Sequence, residues 1–469
     1  MTQLSAIHTT SSAADPLSAL ERRLGPIEYH PTTSLTAYEK NPRRHPEKQI
    51  IKLMASISEF GFALPVLVDA ERTIIAGHAR IEAARRLNIS EVPVLVATDW
   101  SKAQVRAYRL ADNRLAELAS WDDELLAIEL SALIEIEEVS IEVLGWETAE
   151  IDLMMDADPQ ASNSNDPADA IIELPAAPVS RQGDMWLLGG HRLLCASSLE
   201  AASWDRLMDG RVGAMVFTDA PYNVPVSGHV CGLGKVQHAE FAMASGEMSK
   251  AEFTTFLGVA IKQLTANVCD GAVLDLCMDW RHLPELLSAL EANDLTLLNL
   301  CIWNKNNGGM GSLYRSKHEL VLIAKKGKAP HTNNVELGRH GRYRTNVWDY
   351  AGVNSFGKGR MTDLADHPTV KPVALVADAI RDVTRPGEIV LDAFMGSGTT
   401  ILAAERTKRL AFGIEIEPAY IDVAIRRWAA MTGEQALLAE TGETVAQVAA
   451  RRDGEASGSE PGEAPNKLD

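Results

Sequence analysis

The sequence predicts a doubly wound α/β sheet over residues 181–433, preceded by a smaller α+β unit. Three observations predict it. Short apolar runs alternate with amphipathic helical stretches from about residue 212 to residue 416, as strands buried between helical layers do. Two of those runs end in compact turns, Asp219-Ala220-Pro221-Tyr222 and Asp392-Ala393-Phe394-Met395-Gly396-Ser397-Gly398-Thr399-Thr400, and the second leads straight into a helical run. At 469 residues the chain exceeds one ordinary core, and a polar stretch without periodicity divides it.

Taken in order, residues 1–24 are rich in Ser, Thr and Ala and read as disordered. A first unit over 25–155 contains an amphipathic helix, Gln49 to Glu59, then a turn into a strand at Gly61 to Val68. Ile74-Ile75-Ala76 leads through Gly77-His78-Ala79-Arg80 into a helix, Ile81 to Leu87, and Val92-Pro93-Val94 starts another strand. Residues 156–180 read as an acidic, flexible linker, with prolines at 159, 167, 175 and 178. In the second unit the strands are Val212 to Phe217, Ala272 to Cys277, Leu297 to Trp303, Glu319 to Ala324, Ile389 to Leu391 and Ala411 to Ile416. Helical patterns such as Phe253 to Val268 and Val373 to Thr384 lie between them. The second unit is expected to be self-contained from about Arg181, and residues 434–469 to form a largely disordered tail.

Hydrophobic content of 46% and charged content of 23% are those of a globular protein, and no apolar stretch approaches a membrane span. The N-terminus lacks the basic, apolar and cleavage-site order of a signal peptide. The five cysteines are irregularly spaced with no C-x-x-C, which argues against a zinc site or a disulfide framework and fits a reducing cytoplasm. No metal is expected. Net charge is −19, but its distribution is uneven. Residues 115–180 hold 17 Asp and Glu and no Lys or Arg, whereas residues 301–372 hold 12 Lys and Arg against 5 Asp and Glu, a balance of 12 − 5 = +7. A local basic surface is what phosphate contact requires.

Glycines at 396 and 398 allow a tight turn and close approach of a ligand to the N–H groups of the helix that follows. Alone, G-x-G fits several ligands or none; no Lys follows Gly398, so it is not the Walker loop. The next strand ends Glu415-Ile416-Glu417, and an acid there binds ribose hydroxyls in doubly wound folds. Glu415 is the first candidate and Glu417 the second.

Together, Asp219-Ala220-Pro221-Tyr222 and Asp392-Ala393-Phe394-Met395-Gly396-Ser397-Gly398 resemble the catalytic and cofactor motifs of amino-methylating DNA methyltransferases. With the catalytic motif first, the order resembles the β class, which methylates adenine N6 or cytosine N4. Cys301-Ile302-Trp303-Asn304-Lys305-Asn306 and Tyr314-Arg315-Ser316-Lys317-His318-Glu319 also look like family signatures. The resemblance implies S-adenosylmethionine as cofactor, held by Asp392, Phe394, Gly396, Gly398, Thr399 and Glu415. His367, Thr369 and Lys371 of His367-Pro368-Thr369-Val370-Lys371-Pro372 are expected to complete that pocket. It implies catalysis by Asp219, Ala220, Pro221 and Tyr222. An exocyclic amine is a poor nucleophile because its lone pair is delocalised; Asp219 and the carbonyl preceding Pro221 hold its hydrogens, and Tyr222 stacks on a base extruded from the duplex. The family pattern is usually Asp-Pro-Pro-Tyr, so Ala220 is a departure. The acidic first position points to adenine N6, and cytosine N4 is the alternative. A further alternative is a DNA-binding regulator with a remnant methyltransferase fold. The resemblance also implies duplex DNA as partner, a role in DNA modification of the restriction–modification kind, and target recognition over about 325–366. Arg339, Arg342, Arg344, Lys358 and Arg360 are the candidate DNA contacts there. A homodimer is left open.

The first unit resembles the ParB/sulfiredoxin-like domain, through Tyr38-Glu39-Lys40-Asn41-Pro42-Arg43 and Gly77-His78-Ala79-Arg80. That resemblance implies a phosphate or nucleotide cradle at Gly77, His78 and Arg80, with Asn41 and Arg43 nearby. His78 stands where the partition proteins often have Glu. A bare scaffold that only positions the second unit is the alternative.

Overall fold

The computed structural model describes residues 24–136, 141–155, 166–170, 172–175, 177–223, 246–305, 313–339, 342–352 and 370–457. Two compact units divide at 147/148.

In the first unit, β1 (Glu28–Pro31), β2 (Val66–Asp69), β3 (Ile74–Ala76) and β4 (Glu91–Ala97) form a sheet in the order β1-β4-β2-β3. Helices α1 (Glu47–Phe60), α2 (His78–Arg86), α3 (Lys102–Ala116) and α4 (Asp123–Glu135) accompany it. Val66, Val68, Ile74, Ile81, Val92 and Val94 make its core, the alternate positions of the strands meeting the apolar face of α2. Each predicted element is present.

The second unit begins with α5 (Thr148–Met155) and continues with β5 (Met185–Leu188), β6 (His191–Cys195), α6 (Ala201–Met208), β7 (Gly213–Asp219), α7 (Lys250–Ala266), β8 (Val268–Met278), α8 (Leu283–Ala292), β9 (Thr296–Asn304), β10 (His318–Lys325) and β11 (Val347–Asp349). Then come α9 (Val373–Val383), β12 (Ile389–Asp392), α10 (Thr399–Arg406), β13 (Leu410–Glu415), α11 (Pro418–Thr432), β14 (Leu437–Leu438) and α12 (Val445–Ser457). The strands form one ten-stranded sheet, β11-β9-β10-β8-β7-β12-β13-β6-β5-β14. Its centre, β8-β7-β12-β13-β6, is parallel, and β10 runs antiparallel between β8 and β9. Helices α9, α10 and α11 bury one face of this sheet, and α6, α7 and α8 bury the other. The order reverses between β7 and β12, so the carboxyl ends of those two strands flank the crevice where ligands bind in open α/β sheets.

Three expectations about boundaries are corrected. The first unit was expected to extend to Met155, but α5 packs on the second unit: Asp152 pairs with Arg409 at 2.5 and 3.0 Å, both buried. Residues 166–180, expected to be flexible linker, are anchored to the second unit at several points. Asp166 receives two hydrogen bonds from Arg406, and Asp422 accepts from the amides of Val179 and Ser180. The tail, expected to be largely disordered, forms β14 and α12 over its described residues: Val448 is fully buried and Arg452 forms a two-pronged pair with Asp184 at 2.7 and 2.8 Å. Polar, small-residue composition hides anchoring that depends on partners hundreds of residues away. Among the described residues no helix is long and apolar enough to cross a membrane.

Candidate active site

Strand β7 ends at Asp219 and its neighbour β12 ends at Asp392, with Met215 opposite Val390 and Val216 opposite Leu391. This register brings Thr218 beside Asp392, and the Thr218 hydroxyl donates to Asp392 Oδ1 at 2.8 Å. Asp392 Oδ1 also accepts from the Phe394 amide at 3.0 Å, and Oδ2 accepts from the Thr400 hydroxyl at 2.6 Å. The carboxylate therefore spans the turn from strand to helix and closes it internally. Burial pushes its pKa up to about 6 against the pull of those donors.

Gly396 and Gly398 both take left-handed backbone, φ 53° and 83°. A Cβ on Gly398 would meet Ala424 of α11 at 2.7 Å, so this glycine is required for the close approach of turn and helix as well as for its φ. Glu415, at the end of β13, accepts from the Gly396 amide at 2.8 Å and from the Glu417 amide at 2.9 Å. Burial raises its carboxyl to about 7. A glycine turn at a helix start, with a carboxylate one strand away, has the donor and acceptor set that a nucleoside cofactor needs. Phe394 is half-buried, its ring 5.7 Å from that of Phe256. Thr399 receives a hydrogen bond from Arg427, which also holds Ser397 at 2.8 Å through both its carbonyl and its hydroxyl.

On the other side of the crevice, Tyr222 donates its phenol proton to Asp219 Oδ1 at 2.5 Å. Lys371 Nζ lies 2.5 Å from Asp219 Oδ2, 3.0 Å from the Tyr222 hydroxyl and 2.8 Å from Glu319 Oε2. Lys305 donates to the second oxygen of Glu319. Lys371, expected in the cofactor pocket, thus has its ammonium on the Asp219 carboxylate. Burial works to lower the Lys371 ammonium, but the Asp219 and Glu319 carboxylates outweigh it and hold it well above its ordinary value. Burial likewise works to raise Glu319, and Lys371 and Lys305 overcome it and hold the carboxyl at about 2. Ala220 is buried and, with Thr218, Leu257, Leu276 and Phe394, borders a small apolar cavity. Pro221 lies half-buried beside it. Asn223 clasps the end of this turn, accepting from the Gly246 and Met248 amides and donating to the Met248 carbonyl.

Glu319, Lys305, Thr218, Thr400 and Arg427 were not singled out from sequence. Glu319 and Lys305 lie inside the two signature segments, yet their place depends on strand direction. Because β10 is antiparallel, its second residue reaches the same sheet edge as the last residue of β7, and Lys305 follows the parallel β9 to that edge.

The candidate DNA contacts divide. Arg339 is exposed and pairs with its neighbour Glu336 at 3.3 Å. Arg342 and Arg344, expected on DNA, are corrected: Arg342 is buried and Arg344 half-buried against Asp382, at 2.6 and 2.9 Å, and Arg344 also donates to the Tyr350 hydroxyl at 2.6 Å. Two carboxylates on one face of α9, Asp378 and Asp382, draw them inward. Lys358, Arg360, His367 and Thr369 lie outside the described residues.

In the first unit, Gly77 caps α2 at φ 104° and the Tyr38 amide donates to His78 Nε2 at 3.4 Å. Arg80 donates to the Leu64 and Pro65 carbonyls at 2.7 and 3.3 Å, so its guanidinium braces the loop before β2. The Asn41 side chain accepts from the Arg43 amide at 3.2 Å, and Arg43 pairs with Glu117 at the surface. Among the described residues no group of three or more His, Cys, Asp or Glu side chains is placed to hold a metal ion.

A family model described as DNA methylase matches residues 214–426, from β7 through α11. That stretch is an N6/N4 DNA methylase domain. Ahead of the methylase domain, a ParB N-terminal domain matches residues 20–114 and a ParB-methyltransferase HTH domain matches 124–182. The chain is similar to Type II methyltransferase M.HinfI of Haemophilus influenzae, 27% identical over 227 residues, which are 45% of this chain and 62% of that one. It thus spans less than two thirds of that relative. The ParB-like nuclease domain-containing protein YnaK of Escherichia coli (strain K12) is 41% identical over 78 residues, 17% of this chain and 90% of YnaK. Among solved structures, the M1.HpyAVI–SAM complex matches at 23% identity and a TM-score of 0.38, covering 50% of this chain and 97% of that one.

Proposed function

We propose that the protein transfers a methyl group from S-adenosylmethionine to the exocyclic N6 amine of adenine in duplex DNA. The observation that carries this reading is the Thr218–Asp392 hydrogen bond, which fixes the catalytic strand end beside the glycine turn. Asp219 and Tyr222 stand at the mouth of that junction, and Glu415 with the amides after Gly396 fits the nucleoside portion of the cofactor. The cofactor supplies an electrophilic methyl group on its sulfonium. Asp219 accepts hydrogen bonds from the target amine and receives the proton it sheds, and Tyr222 packs on the extruded base. The acidic residue at position 219 favours adenine over cytosine.

Labelled cofactor and duplex DNA test the reading. Methyl transfer should occur, Asp219→Ala should abolish it while cofactor binding persists, and mass spectrometry of the nucleosides should find N6-methyladenine. Finding N4-methylcytosine instead would transfer the reading to the other amine. An Asp219→Ala variant as active as the parent chain would overturn the assignment of Asp219. For the first unit we propose phosphate contact at the α2 N-terminus by Gly77 and His78, tested by titration with nucleoside triphosphates and with duplex DNA.

A further inference from the structure

The Asp219 carboxylate is already shared. Tyr222 occupies Oδ1, and the Lys371 ammonium occupies Oδ2 at 2.5 Å. An exocyclic amine is also a hydrogen-bond donor, so a target base that engages Asp219 competes with this ammonium for the same oxygen. Lys371 is only 4% exposed, and a buried ammonium that loses its carboxylate is strongly disfavoured. Glu319 removes that cost. Its Oε2 stands 2.8 Å from Lys371 Nζ, and its other oxygen is held from behind by Lys305 at the end of β9. Also near the ammonium among the described residues are Tyr222, the buried Cys277 thiol and the Trp303 ring, and none of them carries a negative charge near neutral pH.

We propose that Glu319 is a positioning residue that retains the Lys371 ammonium when the amine of the target base takes the Asp219 oxygen which that ammonium holds. Lys371 then pivots between two carboxylates that differ in fate: Asp219 is given over to substrate, and Glu319 stays with the lysine. Lys305 keeps Glu319 at the sheet edge and ionised throughout. This inference rests on the reading of Asp219 as the acceptor of the target amine.

The test is a double-mutant cycle on the full chain, read as turnover and apparent KM for duplex DNA with labelled cofactor. Glu319→Gln leaves the lysine with no second carboxylate; turnover should fall roughly a hundredfold, with cofactor affinity unchanged. Lys371→Met removes the charge that needs a partner and should be milder. The decisive variant is the double, Glu319→Gln with Lys371→Met, which should recover turnover towards that of Lys371→Met alone. Glu319→Asp, which keeps the charge, should also restore much of the activity. A double variant no better than Glu319→Gln, or a Glu319→Gln variant as active as the parent, overturns the proposal. Thermal melting and cofactor binding identify any variant that fails to fold, and Glu319→Asp then carries the test. Absence of methyl transfer by the parent chain is a different outcome, and it would overturn the methyltransferase reading itself.

Discussion

Thr218 and Asp392 sit on adjacent parallel strands, 174 residues apart in sequence, and the threonine hydroxyl reaches the aspartate at 2.8 Å. The bond ties the turn that begins at Asp219 to the glycine turn at 396–398. Thr218→Val preserves shape and removes the donor, leaving a buried carboxylate with one fewer partner, at a cost of about 1–3 kcal/mol. The sign of its pH dependence follows from Asp392. Burial has raised this group to about 6 in the folded chain, so its ionisation opposes folding increasingly as pH rises through that value. Losing Thr218 raises it further. Denaturant titrations should find the deficit of Thr218→Val large at pH 8 and narrowing towards pH 5.

Glu415 gives a pH dependence of binding. Its carboxyl, lifted to about 7 by burial, accepts ribose hydroxyls best when ionised. Affinity for S-adenosylmethionine should therefore rise with pH through about 7, by up to roughly tenfold per pH unit below it. Calorimetry between pH 6 and 8.5 checks this, and Glu415→Gln should flatten the curve. A pH-independent affinity in the parent chain would exclude Glu415 as the ribose ligand.

The arginines at 339 and 344 should separate by role. Arg344→Ala removes a largely buried partner of Asp382, which keeps Arg342, and should cost about 1–3 kcal/mol of stability. Arg339→Ala removes only an exposed pair with Glu336, and less than about 1 kcal/mol should be lost. If Arg339 meets phosphate, its removal lowers the salt dependence of DNA binding by about one unit of slope. Melting curves and salt titrations of DNA affinity measure both effects.

A fragment beginning at Arg181 is a poor excision. It leaves Arg409, which is 1% exposed, without its Asp152 partner, and it strips Asp166 from Arg406. A fragment beginning at Thr148 keeps both pairs. The shorter fragment should be less stable by about 3–5 kcal/mol or fail to fold, as circular dichroism melts would report.

Much of this architecture was legible. Buried strands of such a sheet are short apolar runs, so β7, β8, β9, β10, β12 and β13 all lie within two residues or so of their predicted limits, except that β8 begins four residues early. The turns at Asp219 and at Gly396–Gly398 announce themselves by residue type. Strand direction does not. Nothing in Glu319 to Ala324 says that this strand alone among its neighbours runs antiparallel, so Glu319 could not be assigned to the edge that holds Asp219. The arginines at 342 and 344 misled for a related reason. A basic loop looks the same whether its charges face solvent or a pair of aspartates on a helix thirty or more residues later. Residues 166–180 and the tail have linker-like composition, and only their distant partners order them.

Residues 166–169 also deserve to be considered as a fastening. Asp166 holds Arg406 on the helix after the glycine turn, the Ala168 carbonyl holds Arg427 and through it Ser397, and Asp169 accepts from the amide of Val373, two residues beyond Lys371. Three residues within this stretch of four therefore reach both sides of the crevice. Opening of this stretch releases the cofactor turn and the lysine together, which makes them one cooperative unit in local unfolding. In native-state hydrogen exchange, the amides of Val373 and of the Gly396–Thr399 turn should share a single opening free energy. Whatever loosens the chain just ahead of the methylase domain is then felt at the glycine turn and beside Asp219 at once.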